Sequence, residues 1–145
     1  MKAHLFLVFA VMLAQQPPKE TTATAIPGVA AAGAKVQFLW QGLEGADGII
    51  GDSEGNLLFA ERKANRVSKI DKNDKIASFL MDTNEAGALA IDSKGQIIDI
   101  ERGNPQRVRI LAPARKILAE GFEDKKLEGM RDLTVDKKGG VYFTD

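Results

Sequence analysis

A ten-residue motif occurs three times in this chain and constrains its fold more than any other feature. Each copy begins with Asp, has Gly three positions later, continues through strand-forming residues and ends on a carboxylate. The copies cover residues 52–61, 92–101 and 136–145, so they are spaced by 40 and 44 residues. This period is typical of a four-stranded propeller blade, and it predicts a tandem array of small sheets, an all-β fold.

The start of each motif predicts a tight turn that joins two strands. The Asp side chain can accept hydrogen bonds from the turn amides, and Gly can adopt the positive φ that closes a hairpin. Short apolar segments before the turns are expected to be innermost strands that line a central channel, and further strands follow the first two turns. The predicted innermost strands are 48–51, 88–91 and 133–135, the third strands 66–70 and 107–110, and the fourth strands 76–80 and 116–119.

The two ends of the array differ from its middle. Residues 36–40 are predicted to be a fourth strand without a blade of its own, and the third repeat contains two strands before Asp145. Closed propellers have about four to eight blades. We therefore expect two complete blades and part of a third, in an incomplete reading frame or fragment. Open sheet edges would favour self-association or poor solubility.

Composition excludes several kinds of chemistry. Basic and acidic residues both number 20, so no basic excess favours nucleic acid. The chain has no Cys and its one histidine is His4, which leaves the predicted mature protein without a disulfide, a catalytic triad or a histidine-bound zinc. Residues 71–82 begin like a calcium loop, but Lys75 and Ile76 stand where an oxygen ligand and Gly are needed, which favours a polar turn.

The N-terminus favours export. Residues 5–14 form an apolar run behind Lys2, which is too short to span a bilayer and suits a signal peptide. The predicted organisation is a signal peptide at 1–14, a Pro-, Thr- and Ala-rich linker at 15–34, and half of a propeller at 35–145. The protein would be periplasmic or secreted, with no membrane contact beyond the signal. A buried strand or short helix is the alternative for the apolar run.

One repeat position could supply a functional site. Five residues before each turn Asp, where an innermost strand begins at the channel mouth, stand Asp47, Gly87 and Arg131. Side chains at equivalent positions of radially arranged blades point towards one axis, so oxygen ligands there could bind one cation. The alternative is that Asp47 is a turn residue and Arg131 a surface charge. The three motif copies share another position, at their last residue, which holds Glu61, Glu101 and Asp145. These residues end strands that are expected to face outward, so we interpret them as structural.

A combination of motifs resembles a known family over residues 26–145. The motifs lie at residues 44–48, 55–59, 65–67, 87–92, 131–136 and 141–145. They are similar to the gluconolactonase, senescence-marker-protein and luciferin-regenerating-enzyme family. The resemblance implies the N-terminal half of a six-bladed β-propeller with a divalent cation (calcium, zinc or magnesium) in its channel. It also implies a hydrolase that acts on small-molecule sugar lactones.

The resemblance also implies roles for individual residues. Asp47 stands where the family has a metal-binding Glu, so the resemblance implies a metal ligand there that could also act as the catalytic base. Arg131 stands at an Asn that holds substrate or water, Gly129 at a substrate-contacting Arg, and Asp132 is retained in the substrate-binding motif. The family's other metal ligands come from later blades, which implies an incomplete site and an inactive chain.

Three functions remain open from the sequence. The first is a metal-dependent lactone hydrolase. The second is a non-catalytic propeller that binds a ligand, because the positive charge of Arg131 opposes a cation nearby. The third is a gene fragment without function.

Overall fold

The computed structural model describes residues 21–145 and divides them into two units, residues 21–39 and 40–145. In the first unit, β1 (Thr21–Thr22) pairs antiparallel with β2 (Lys35–Val36). Residues 37–40 form no strand, so the strand predicted at 36–40 is wrong beyond Val36. Phe38 remains half-exposed without a partner strand. The predicted signal peptide and residues 15–20 of the linker lie outside the described residues.

The second unit contains two complete four-stranded antiparallel sheets, here called blade 1 and blade 2, each with its strands in chain order. A third, two-stranded sheet is called blade 3, and a separate short hairpin precedes it. Blade 1 comprises β3 (Ala46–Gly51), β4 (Leu57–Glu61), β5 (Arg66–Ile70) and β6 (Ile76–Met81). Blade 2 comprises β7 (Ala86–Ile91), β8 (Ile97–Glu101), β9 (Arg107–Ala112) and β10 (Lys116–Ala119). The hairpin is β11 (Gly121–Phe122) and β12 (Lys125–Lys126), and blade 3 is β13 (Leu133–Val135) and β14 (Val141–Phe143).

This architecture confirms the predicted all-β partial propeller. Residues 21–145 contain no helix, and every strand predicted after the first turn motif is present within about two residues of its predicted bounds. No helix in this described part of the chain is long and apolar enough to cross a membrane.

The motif turns have the predicted geometry. In the first, Asp52 Oδ1 accepts hydrogen bonds from the amides of Glu54 at 2.9 Å and Asn56 at 2.8 Å. Gly55 has φ +83°, a conformation that Gly adopts without strain. The turns that begin at Asp92 and Asp136 repeat the pattern. These hydrogen bonds close the hairpins locally.

The segment that begins like a calcium loop is a fourth turn of the same kind. Asp71 Oδ1 accepts from the amides of Asn73 at 2.8 Å and Lys75 at 3.0 Å, and Asp74 takes the positive-φ position that Gly holds elsewhere. The prediction of a polar turn is confirmed.

Alternation along the strands produces two hydrophobic layers. Strand β8 sends Ile98 and Ile100 to one face and Ile97 to the other. The first face packs against Leu133 of blade 3, and the second against Leu58 of blade 1. Each fully buried side chain of this size contributes about 1.5–3 kcal/mol. Blade 2 is thus held from both sides.

The innermost strands of the three blades are neighbours, with β7 packed between β3 and β13. Gly48 marks the closest approach. A Cβ added there would lie 2.4 Å from the carbonyl oxygen of Gly87, and the backbone has φ +56°. The two strands can therefore meet only because residue 48 is Gly.

Candidate functional site

Asp47 lies near the start of β3, opposite Ala60 of β4, just before the register shifts at Gly48. Its side chain is 51% exposed. Asp47 Oδ1 accepts a hydrogen bond of 2.9 Å from the amide of Gly48, which orients the carboxylate. A half-exposed, oriented carboxylate can accept a proton or a hydrogen bond from a ligand.

An arginine that the sequence did not single out lies beside this carboxylate. Arg102 Nη1 is 3.7 Å from Asp47 Oδ2. The side chain of Arg102 passes over Gly87, where an added Cβ would be 2.6 Å from Arg102 Cδ. The absence of a side chain at Gly87 is therefore what lets Arg102 reach Asp47. The available sequence signal was the Glu-Arg pair at 101–102, which repeats residues 61–62.

The other predicted site residues begin blade 3. The amide of Arg131 donates to the carbonyl of Thr144 at 3.4 Å, and the described residues form no ion pair with its guanidinium. Asp132 Oδ1 accepts from the amide of Leu133 at 2.9 Å, and its own amide donates to Thr144 Oγ1 at 3.3 Å. The amide of Gly129 donates to Asp145 Oδ1 at 2.8 Å. None of these residues pairs with Asp47, whose ion-pair partner among the described residues is Arg102.

The residues present do not fit a divalent cation. Within residues 21–145, no three carboxylate, His or Cys side chains come together to bind a metal. At the predicted position, Asp47 is one carboxylate beside a guanidinium, while Gly87 and Arg131 supply no side-chain oxygen. Calcium binds about six to eight oxygens and magnesium an octahedron of them.

The repeated carboxylates Glu61 and Glu101 are structural but do not face outward as predicted. Both are fully buried. Glu61 Oε1 accepts from Arg66 Nε at 2.8 Å, and the hydroxyl of Ser68 also donates to it. Burial opposes ionisation of Glu61, but the bonds from Arg66 and Ser68 outweigh it and hold its pKa below the usual value. Arg107 binds Glu101 in the same way.

Asp145, at the third repeated position, is exposed, and its side chain binds backbone amides of the chain. Its Oδ1 accepts from the amides of Glu128 at 2.9 Å and Gly129 at 2.8 Å. These bonds fix the segment that leads into β13.

A further buried acid, Asp99, stands on β8 where blade 1 has Phe59. Neither carboxylate oxygen has a hydrogen-bond partner. Burial, with the nearby charge of Glu101, raises the pKa of Asp99 to about 8, although Arg109 and other arginines oppose the shift. Asp99 belongs to the contact between blades 1 and 2 and is not part of the channel-mouth site.

A cavity of about 490 Å³ lies next to the Asp47 and Arg102 pair. Arg102 is part of its wall and also pairs with Asp47, so this residue connects the two features. The remaining wall comes from the loop after β8, the hairpin region and the segment before blade 3. Its charged residues are Glu85, Arg102, Glu120, Lys126 and Glu128.

The two complete blades and the partial third blade, with their innermost strands side by side, define a partial β-propeller. Solved structures agree. The chain matches a protein assigned as a gluconolactonase with TM-score 0.65 and 17% identity, over 74% of this chain and 38% of that one. It matches a gluconolactonase from Xanthomonas campestris with TM-score 0.68 and 19% identity, over 74% of this chain and 36% of that one.

A streptogramin B lyase matches with TM-score 0.56 and 23% identity, over 70% of this chain and 34% of the lyase. The chain thus spans little more than a third of the length of these structures. All three matches show a shared fold. No protein-family model and no curated protein matches the sequence.

Proposed function

We propose that this chain forms part of a gluconolactonase-like propeller and binds a small-molecule lactone at the channel mouth. The observation that supports this most directly is the position of Asp47, an oriented and half-exposed carboxylate at the start of an innermost strand. The TM-scores of 0.65 and 0.68 with the two gluconolactonases, against 0.56 with the streptogramin B lyase, also favour a lactonase-type propeller.

In this proposal Asp47 accepts a hydrogen bond or a proton from a ligand hydroxyl or from water. Arg131 and Asp132, at the start of blade 3, contact the substrate. The candidate site residues within 21–145 do not fit a divalent cation. No step of the proposal therefore depends on a metal bound by these residues. Among the described residues, the hydrogen-bond and ion-pair partners of Asp47 are the amide of Gly48 and the guanidinium of Arg102, and neither is a second carboxylate that could share acid and base roles. We therefore propose that this chain binds lactone without accelerating its hydrolysis.

Binding and hydrolysis can be measured separately. Saturation-transfer NMR with fresh gluconolactone is expected to show binding that weakens in Asp47→Asn, while a pH-stat assay shows the uncatalysed rate. Asp124→Asn, an exposed acid in the β11–β12 turn, is the matched control and should bind like the parent. Saturable turnover that is lost in Asp47→Asn would show that the chain is itself a hydrolase. Absence of lactone binding would refute the proposal.

The second candidate is a propeller that binds a ligand and has no catalytic role even in a longer form of the protein, whereas the first candidate would be a lactone hydrolase in that form. The ion pair between Asp47 and Arg102 favours it, because a guanidinium beside the one candidate carboxylate disfavours a cation there. The same pair of assays separates the candidates in any longer form of the protein. A binding module would retain affinity and still show no turnover.

We also propose that the protein is exported. The apolar run at residues 5–14 supports this, with the Pro-rich segment that follows it. Expression of the full chain in a bacterial host should yield periplasmic protein whose first residue is Gln15, as read by mass spectrometry. An uncleaved cytoplasmic product would count against export.

A further inference from the structure

We propose that Arg102 is an anion subsite at the channel mouth and binds the carboxylate of a small hydroxy acid. This inference rests on the proposed function, which supplies the expectation that the ligand carries several hydroxyl groups, as a sugar lactone does. Opening a lactone ring with water yields a hydroxy acid, so the ring-opened form has the charge that Arg102 can bind. The ligand class is therefore a polyhydroxylated carboxylate.

The backbone and a glycine fix the position of Arg102. Its amide donates to the carbonyl of Glu85 at 3.2 Å, which holds the start of the loop after β8 against the segment before β7. The aliphatic part of the side chain lies over Gly87, in space that any larger residue would fill. The side chain is only 18% exposed, so it loses little further freedom when a ligand binds.

The contact with Asp47 leaves the guanidinium available. At 3.7 Å it is an ion pair and exceeds the usual 2.7–3.2 Å of a hydrogen bond. Asp47 Oδ1 is already oriented by the amide of Gly48. Arginine has five N–H donors in a planar fork that matches a carboxylate with two parallel bonds. The side chains of residues 40–145 therefore do not satisfy Arg102, and a ligand carboxylate can.

The charges of the cavity wall are compatible with an anion at this point. Glu85 is paired with Arg62 at 3.0 Å, and Glu120 with Arg107 at 3.3 Å. Both acids are therefore neutralised from outside the cavity. The two other charged residues of the wall, Lys126 and Glu128, have opposite charges. Arg102 remains as the cation between the cavity and Asp47, and about 490 Å³ is within the range of small-ligand sites.

Isothermal titration of the full chain with gluconate and with uncharged sorbitol tests the subsite. Gluconate should bind at least about tenfold more tightly than sorbitol, as expected for a charge-assisted pair. Arg102→Gln should abolish this preference. Asp47→Asn, which removes the competing carboxylate and keeps Arg102, should strengthen gluconate binding several-fold. Arg115→Gln is the control for loss of one charge, because Arg115 binds the carbonyl of Asp82 at 3.0 Å and is not part of the cavity wall.

The outcomes separate this inference from the proposed function. Lactone binding with equal affinity for gluconate and sorbitol would overturn the Arg102 subsite alone. An Arg102-dependent preference for gluconate without lactone binding would support the subsite and refute the lactone proposal. If the circular dichroism spectrum shows that Arg102→Gln disturbs the fold, the gluconate affinity of Asp47→Asn is the deciding measurement. Unchanged gluconate affinity in Asp47→Asn would overturn the subsite.

Discussion

Asp99 and Arg109 lie directly opposite each other on β8 and β9, yet Asp99 accepts no hydrogen bond from Arg109. The guanidinium of Arg109 is directed to Glu101 instead. Two acids on one buried face thus compete for the same arginines, and Glu101 obtains the contacts. Asp99 is left as the acid that keeps its proton, with a pKa of about 8.

Stability should therefore fall as pH rises from about 4 to about 8. An unfolded Asp ionises near its ordinary pKa of 3.8, whereas burial keeps folded Asp99 protonated until about pH 8, its raised pKa. The native state binds more protons across this interval, so raising the pH favours unfolding. Asp99→Asn resembles the protonated form, and at pH 8 it should be more stable than the parent by roughly 1–3 kcal/mol.

Urea unfolding at pH 5 and pH 8 measures this difference. The Asp99→Asn variant should show a smaller change between the two pH values than the parent. Asp124→Asn, on the exposed hairpin turn, should keep the parental pH dependence. Equal pH dependence in parent and Asp99→Asn would contradict the assignment.

The contact between innermost strands predicts a large difference between two glycine substitutions. Gly48→Ala should destabilise by roughly 3 kcal/mol or more, because it adds a backbone clash to the strain of positive φ. Gly95→Ala has the same kind of strain at φ +76° but no atom within 4 Å of the added Cβ, so about 1 kcal/mol is expected. Thermal unfolding of both variants at one pH provides the comparison. Similar losses would mean that the strands do not meet at Gly48.

The channel mouth should bind divalent cations only weakly. One carboxylate, already paired with Arg102, offers too few oxygens for calcium or zinc. Isothermal titration of residues 15–145 with each metal is expected to show no saturation below the millimolar range. The matched Asp47→Asn variant should give the same titration curve. Micromolar affinity that depends on Asp47 would overturn this interpretation.

Self-association is proposed through β3 and β6, the two edge strands of blade 1, which together expose three large apolar side chains. Ile49 is 64% exposed, Phe79 42% and Met81 51%. Exposed apolar side chains on edge strands favour contact between copies. Sedimentation velocity should show concentration-dependent dimers that decrease in Ile49→Lys. Phe122→Lys, at a 76% exposed hairpin residue, is the control for removal of an unrelated apolar side chain. A monomer at all concentrations would exclude this surface.

Most of the fold was predictable because its signals are local. The Asp and Gly of each turn are three residues apart, and their hydrogen bonds stay within one hairpin, so spacing alone located the strands. The strand predicted beyond Val36 was wrong because a strand requires a partner that local pattern does not reveal.

The candidate site was predictable only in part. Asp47 was found because its position repeats with the blades. Arg102 was missed because it reaches Asp47 across the gap between two blades. It does so over Gly87, which has no side chain and therefore gives no sequence signal of this contact. Asp99 was missed because its environment depends on the packing of blade 2 against blade 1, which no local motif encodes.

The turn at Asp71 lies at the same end of blade 1 as the turn at Asp52, while Asp47 lies at the opposite end. Each of these turns is closed by hydrogen bonds from within its own few residues. The turn end of the sheet can consequently accept peptide insertions or surface tags without disturbing the channel mouth. Attachment there would leave the end that carries Asp47 accessible, which makes these hairpins suitable points for immobilising the protein on a sensor surface.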